Sequence, residues 1–159
     1  MGHTNSVKVK EIKFYRASGI YGAFSNFSPH SVYIDSRIWP TSEHYFQAMK
    51  REDHLLQEEI RQAPTPSQAA RLGRSRKHPL RPNWDKKYRD MVMLHALRCK
   101  FSQHPDLLEM LQGTGDAELI EHTSNDSYWG DGGDGSGENK LGKLLMEIRS
   151  YLTSADRYK

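Results

Sequence analysis

Two stretches of this sequence hold chemically capable residues at close spacing. The first is Tyr128–Gly137, Y-W-G-D-G-G-D-G-S-G, where five of the chain's twelve glycines fall together. Glycine loses the most conformational freedom on folding, so this concentration suits a backbone that must approach a ligand or adopt positive φ repeatedly. A flexible surface linker is the bland alternative, and Tyr128 and Trp129 count against it. The loop runs into a helix whose N-terminal amides would offer an anion site. The second stretch is W-P-T-S-E-H-Y-F-Q, Trp39–Gln47, with Glu43 in the first turn of a helix. A carboxylate there also complements the helix dipole, so the residues alone leave catalysis and capping both open.

Several other readings of these stretches fail. Gly137-x-x-x-x-Gly142-Lys143 has most of a phosphate-binding loop, but Leu144 occupies the Ser/Thr position and the stretch lies inside an amphipathic helix. The acidic loop lacks the ligand spacing of a calcium-binding EF-hand. Its glycines sit in no βαβ unit, so they are not a dinucleotide fingerprint. Glu43-His44 has no paired metal-ligand spacing.

The elements that must position these residues read as α+β. Glu11–Arg16 is expected as a strand, followed by a loop at 17–30. Ser31–Ile34 and Arg37–Trp39 are expected as a strand pair around Asp35-Ser36. Thr41 caps a helix with Tyr45, Phe46, Met49, Leu55, Leu56 and Ile60 on its apolar face and a break near Arg51–Asp53. Thr65-Pro66-Ser67-Gln68 starts another helix, with a capping box, that runs to Gly73. A basic connector, 74–83, leads to Asn83 as cap of a long helix, Trp84–Gln103. Its inward positions are expected at Tyr88, Met91, Val92, His95, Leu97 and Phe101. Pro105 opens a short helix ending before Gly113, Ala117–Glu121 is a last strand, and a C-terminal helix buries Leu141, Leu144, Leu145, Ile148 and Leu152. Strands fall mostly early and helices mostly late, unlike an alternating parallel-sheet pattern.

At 159 residues the chain suits one domain. The single cysteine, Cys99, excludes an internal disulfide and a cysteine-rich zinc module, and fits a reducing cytoplasm. No apolar run approaches the ~18 residues of a membrane span, and residues 1–10 show no hydrophobic signal region. A net charge of +3 does not call for nucleic acid but accommodates a phosphorylated small molecule.

The stretches FYRASGIYGAFSNFSPH, WPTSEHYFQAMK, AARLGR, PLRPNWD, LRCKF and EHTSNDSYWGDGGDGSGENKLGKLLMEIR cover nearly all of residues 14–150. In that order they resemble the YbiA-like branch of the NADAR (NAD and ADP-ribose) superfamily. The resemblance implies a compact, mostly helical α+β fold with a few short strands, spanning residues 14–159. Residues 1–13 are then an N-terminal extension, expected to be partly disordered. It also implies an N-glycosidase that removes early riboflavin-pathway intermediates, splitting ribosylaminopyrimidine 5′-phosphates into base and ribose 5-phosphate. Other branches of the superfamily act on ADP-ribosylated guanine, and a non-catalytic ADP-ribose or NAD binder is a third possibility. No cofactor or metal is called for, and the oligomeric state is left open.

Carried over residue by residue, the resemblance implies a catalytic role for Glu43 and places Trp129, Asp131, Trp84 and Lys50 in the site. Cleaving an N-glycoside builds oxocarbenium character on the sugar and negative charge on the leaving nitrogen, which two carboxylates can serve. Glu43 and Asp131 are the expected pair, with the roles of acid and base open. Trp84 and Trp129 would stack on the base. Lys50 would bind phosphate or act as a Schiff-base amine. Arg16, Arg74 and Lys100 are further phosphate candidates, and Asn26 is a hydrogen-bonding candidate for ribose or base.

Overall fold

The computed structural model describes residues 10–152. The strands are β1 (Glu11–Phe14), β2 (Val32–Ile34), β3 (Arg37–Trp39) and β4 (Glu118–Glu121). The helices are α1 (Ser42–Ala48), α2 (His54–Arg61), α3 (Pro66–Gly73), α4 (Arg89–Gln103), α5 (Pro105–Gly113) and α6 (Lys140–Tyr151). This is the mostly helical α+β fold expected. Among the described residues, no helix is long and apolar enough to cross a membrane.

Local chemistry explains most boundaries. β2 and β3 pair antiparallel, Val32 opposite Trp39, and Asp35 and Ser36 turn between them at φ of 54° and 64°. Two consecutive left-handed residues suit the twist of a tight hairpin. Thr41 caps α1, its hydroxyl oxygen accepting from the His44 amide at 3.2 Å. Asp53 caps α2, accepting from the Leu55 and Leu56 amides, so the expected break falls between α1 and α2. Thr65 caps α3 through the Gln68 amide, with Pro66 at the first helical position.

The core gathers around α4, where Ala96, Leu97 and Phe101 are fully buried together with Trp39, Phe24, Ile60 and Leu108. Here the structure departs from the expected helix at 84–103. Asn83 is left-handed and makes no side-chain cap, and Trp84–Tyr88 forms a π-helical turn before α4 begins. The Tyr88 amide reaches back five residues to the Asn83 carbonyl. The wider turn shifts the helix phase, so Met91 is exposed, while Met93, Ala96 and Lys100 face inward with Leu97 and Phe101.

β1 pairs with β4 in parallel, Ile12 beside Leu119 and Phe14 beside Glu121. Residues 11–13, part of the expected extension but also of the strand expected at Glu11–Arg16, are paired in β1; residues 1–9 and 153–159 lie outside the described residues. α6 lies directly on β4. A Cβ on Gly142 would meet the Leu119 carbonyl oxygen at 1.9 Å, so only glycine allows this approach.

Candidate active site

A cavity of about 800 Å³ opens between α1, the loops after β1 and before β2, and the segment from β4 to Trp129. Glu43, Phe46 and Gln47 line it from α1, and Lys50 from the turn that follows. The three helix positions fall at helical spacing, so one face of a two-turn helix supplies a carboxylate, a ring and an amide, and the turn after it adds an amine.

The start of α1 is fixed from outside as well as by its cap. The Ser42 hydroxyl donates to Asn26 Oδ1 at 2.8 Å, and the Glu43 amide donates to the Asn26 carbonyl at 3.3 Å. The Asn26 amide nitrogen reaches Met93 Sδ at 3.2 Å. Asn26 therefore clamps α1 while lining the cavity. His44 plays a structural part. Its Nε2 donates to the Ala63 carbonyl at 3.0 Å, which leaves Nδ1 to accept from the Thr41 hydroxyl at 2.7 Å. Burial lowers its pKa, in keeping with a neutral ring.

Glu43 is buried, and Gln47 Nε2 donates to its Oε1 at 2.7 Å. Burial raises its pKa; the Gln47 bond and the charges of Lys50 and Arg74 oppose the rise. Burial likewise lowers the Lys50 pKa, with Glu43 acting against it. Gly73 of α3 makes room for Gln47, because a Cβ there would meet Gln47 Oε1 at 2.1 Å.

The cavity also takes in Arg16, Arg74 and Trp129. Arg51 anchors the connector that carries Arg74, donating to the carbonyls of Gly73 and Ser75. Trp129 stands edge-on to Phe46 with centroids 5.5 Å apart. Asp126 fixes its turn, Oδ1 accepting from the Tyr128 and Trp129 amides at 2.9 and 2.8 Å. Glu43, Lys50, Asn26, Arg16, Arg74 and Trp129 thus share one cavity.

Three expected residues do not reach it. The Asp131 carboxylate lies outside the cavity wall and accepts from the Thr123 and Gly133 amides at 3.0 and 2.9 Å and from His122 at 2.7 Å. His122 and those amides hold its carboxyl down to about 2. The expected pairing of Glu43 with Asp131 is therefore not formed. Trp84 is buried behind Phe46, with centroids 5.4 Å apart, and backs that ring instead of facing the cavity. Lys100 has no exposed surface. Its amine donates to the carbonyls of Ala23 and Ser25 and to the Ser28 hydroxyl, and burial pushes it down to about 7. It braces the loop that carries Asn26.

The glycine-rich loop also differs from expectation. Of Tyr128–Gly137, only Trp129 lines the cavity. The amides from Gly137 to Leu141 all donate to carbonyls within the 127–131 segment, so the start of α6 offers no free anion site. Positive φ at Gly132, Gly133 and Gly135 allows this folding-back. Among the described residues, no group of three or more His, Cys, Asp or Glu side chains is placed to hold a metal ion.

Glu121, Asp126, Gln47 and Phe46 also line the cavity, and none of them is among the site residues expected from the sequence. Glu121 had a usable signal. In A-E-L-I-E-H-T, alternation sets Leu119, Glu121 and Thr123 on one face, so an acid falls where an inward residue is due.

The NADAR domain model matches residues 13–153. The N-glycosidase YbiA of Escherichia coli is 53% identical over 141 residues, covering 89% of this chain and 88% of that protein. The chloroplastic riboflavin biosynthesis protein PYRR of Zea mays is 42% identical over 156 residues, covering 89% of this chain but 25% of that one. The NMR structure of E. coli YbiA superimposes with a TM-score of 0.83 at 52% identity, over 90% of this chain and 84% of that one. The chain belongs to the NADAR domain family and is a YbiA-like hydrolase of the N-glycosidase kind.

Proposed function

We propose that the protein hydrolyses ribosylaminopyrimidine 5′-phosphates, early intermediates of riboflavin formation, to free base and ribose 5-phosphate. The observation that carries this reading is one cavity wall joining the buried Glu43 to the Trp129 ring and to the cations of Arg16, Lys50 and Arg74. A flat base suits the aromatic side, where Trp129 and Phe46 meet edge to face. The arginines suit a phosphate, which guanidinium groups bind through paired hydrogen bonds. The names of relatives point the same way, one an N-glycosidase and another a riboflavin biosynthesis protein.

In this reading Glu43 faces the anomeric carbon. As the C1′–N bond lengthens, positive charge grows on the sugar, and an ionised carboxylate in a dry site stabilises it far better than in water. Glu43 then accepts a proton from the water that attacks C1′. Gln47 holds the carboxylate in place, and its bond, with the charges of Lys50 and Arg74, opposes the rise that burial imposes on the Glu43 pKa. Lys50 also offers its charge to the ribose phosphate. Asp131 serves this site indirectly, by bracing the loop that presents Trp129.

The test is incubation of pure protein with a ribosylaminopyrimidine 5′-phosphate and, separately, with ADP-ribosylated guanosine. Release of ribose 5-phosphate from the first alone is expected. Turnover of the second alone would favour an ADP-ribosyl hydrolase. Binding of ADP-ribose without turnover of either would make the protein a binding module.

A further inference from the structure

We propose that Glu121 is a second catalytic carboxyl of this cavity, the one that gives a proton to the departing base. The inference rests on the N-glycosidase reading above and adds the proton donor that it lacks. An aminopyrimidine leaves poorly as an anion, so its nitrogen needs a proton as the bond to C1′ breaks.

The placement of Glu121 follows from strand geometry. Along β4 and its continuation, Glu118, Ile120 and His122 face a separate groove beside β1, while Glu121 and Thr123 face the Glu43 cavity. The backbone of Glu121 is held on both sides: its amide donates to Asn139 Oδ1 at 3.0 Å, and its carbonyl accepts from the Asp131 amide at 2.8 Å. The side chain takes no part in this scaffold. The residue is half-buried, but its Oε2 is fully buried and has no hydrogen-bond partner among the described residues. A carboxylate with one oxygen buried and no donor or cation beside it is disfavoured relative to the protonated acid.

The surrounding charges favour the same state. Asp126 and Asp131 from the following loop and Glu43 from α1 are all acids, and each disfavours a further negative charge. Burial, with these three adding to it, raises the Glu121 carboxyl to about 7. Lys13 of β1, Lys143 of α6 and His122 line the groove on the other face of β4. Lys140 pairs with Asp90. Arg16, Lys50 and Arg74 line the cavity, but none forms an ion pair with Glu121 among the described residues. Burial raises the Glu43 carboxyl too, but Glu43, unlike Glu121, receives the Gln47 amide and feels the charges of Lys50 and Arg74, which oppose that rise. Two carboxyls in one site with unlike surroundings divide into a proton donor and an ionised partner.

The step balances. The C1′–N bond breaks and its electron pair stays on nitrogen, which takes the Glu121 proton. Water adds to C1′ and gives its proton to Glu43. Transfer of that proton from Glu43 to Glu121 restores the starting state. No oxidant, reductant or metal takes part.

The experiment is the pH profile of kcat for ribose 5-phosphate release by wild type and Glu121→Gln, with circular dichroism and melting temperature as controls for folding. Glutamine matches the shape and carries no transferable proton. The donor must be protonated, so wild-type kcat should fall as pH rises past about 7. Glu121→Gln should lose on the order of 10²–10⁴-fold in kcat, keep KM within a few-fold, and lose that alkaline limb. If Glu121→Gln misfolds, Glu121→Asp carries the test: it retains a proton but withdraws it from the cavity, so kcat falls while an alkaline limb remains. An active wild type whose Glu121 variants keep both its kcat and its alkaline limb would overturn this inference alone. A folded wild type that releases no ribose 5-phosphate overturns the functional reading and this inference with it.

Discussion

At the scale of single residues, Asp131 shows how neighbours in sequence part company in space. It stands two positions from Trp129, yet its carboxylate is consumed by two backbone amides and His122 while the Trp129 ring lines the cavity. This bracing gives a prediction with a definite sign. The folded carboxyl sits at about 2, below its ordinary 3.8. A depressed acid stabilises the fold fully above its unfolded pKa, and that contribution disappears as pH falls through the folded value. The stability due to Asp131 is thus expected to be lost between about pH 4 and pH 2. Urea unfolding of wild type and Asp131→Asn across that range checks it: the variant should start less stable at neutral pH and decline less steeply in acid. Parallel curves would mean that the carboxylate does not stabilise the loop. Glu43, Lys50 and Trp129, which the resemblance singles out within compact, unusual blocks of sequence, do line the cavity. The burial of Trp84 and Lys100 was not legible, since neither a tryptophan nor a lysine announces from its neighbours whether it faces a cavity or the core.

At the scale of elements, the segments set by adjacent residues were readable. Thr41, Thr65 and the Asp35-Ser36 turn announce α1, α3 and the β2–β3 hairpin through local hydrogen bonding and backbone preference. The pairing of β1 with β4 joins residues more than a hundred positions apart and has no local signal. The π-helical turn at Trp84–Tyr88 is likewise invisible to a fixed 3.6-residue period, which is why Met91 was placed inward and Met93 was not. Gly142, first met in an apparent phosphate-loop pattern, has a packing role: it lets α6 rest on β4. Gly142→Ala would drive a Cβ into the backbone of Leu119, and neither element can yield without moving the other. Overpacking of this kind costs about 1–3 kcal/mol or more. The melting temperature should fall by ~2–4 °C for each kcal/mol lost, and ribose 5-phosphate release should weaken as Glu121 shifts with β4. An unchanged melting temperature would show that the contact is looser than the structure has it.

At the scale of the whole molecule, the fold brings distant segments around one cavity: the connection from β1 to β2, α1 and the turn after it, Arg74 at the end of α3, Met93 of α4, and the stretch from β4 to Trp129. The mostly helical α+β character was readable from hydrophobic periodicity, because amphipathic faces must be buried whatever the topology. The closure of the cavity was not, since it depends on the β1–β4 pairing and on Asn26 clamping the start of α1. In the proposed reading, this architecture holds the buried Glu43 carboxylate oriented toward the sugar. The most direct test is the turnover of a ribosylaminopyrimidine 5′-phosphate by Glu43→Gln, compared with wild type at equal folded concentration. Glutamine preserves the buried shape and can still accept from Gln47, but it carries no charge and accepts no proton from water. The account predicts a fall in kcat on the order of 10²–10⁴-fold with the melting temperature little changed. A folded Glu43→Gln protein that releases ribose 5-phosphate at the wild-type rate would contradict it.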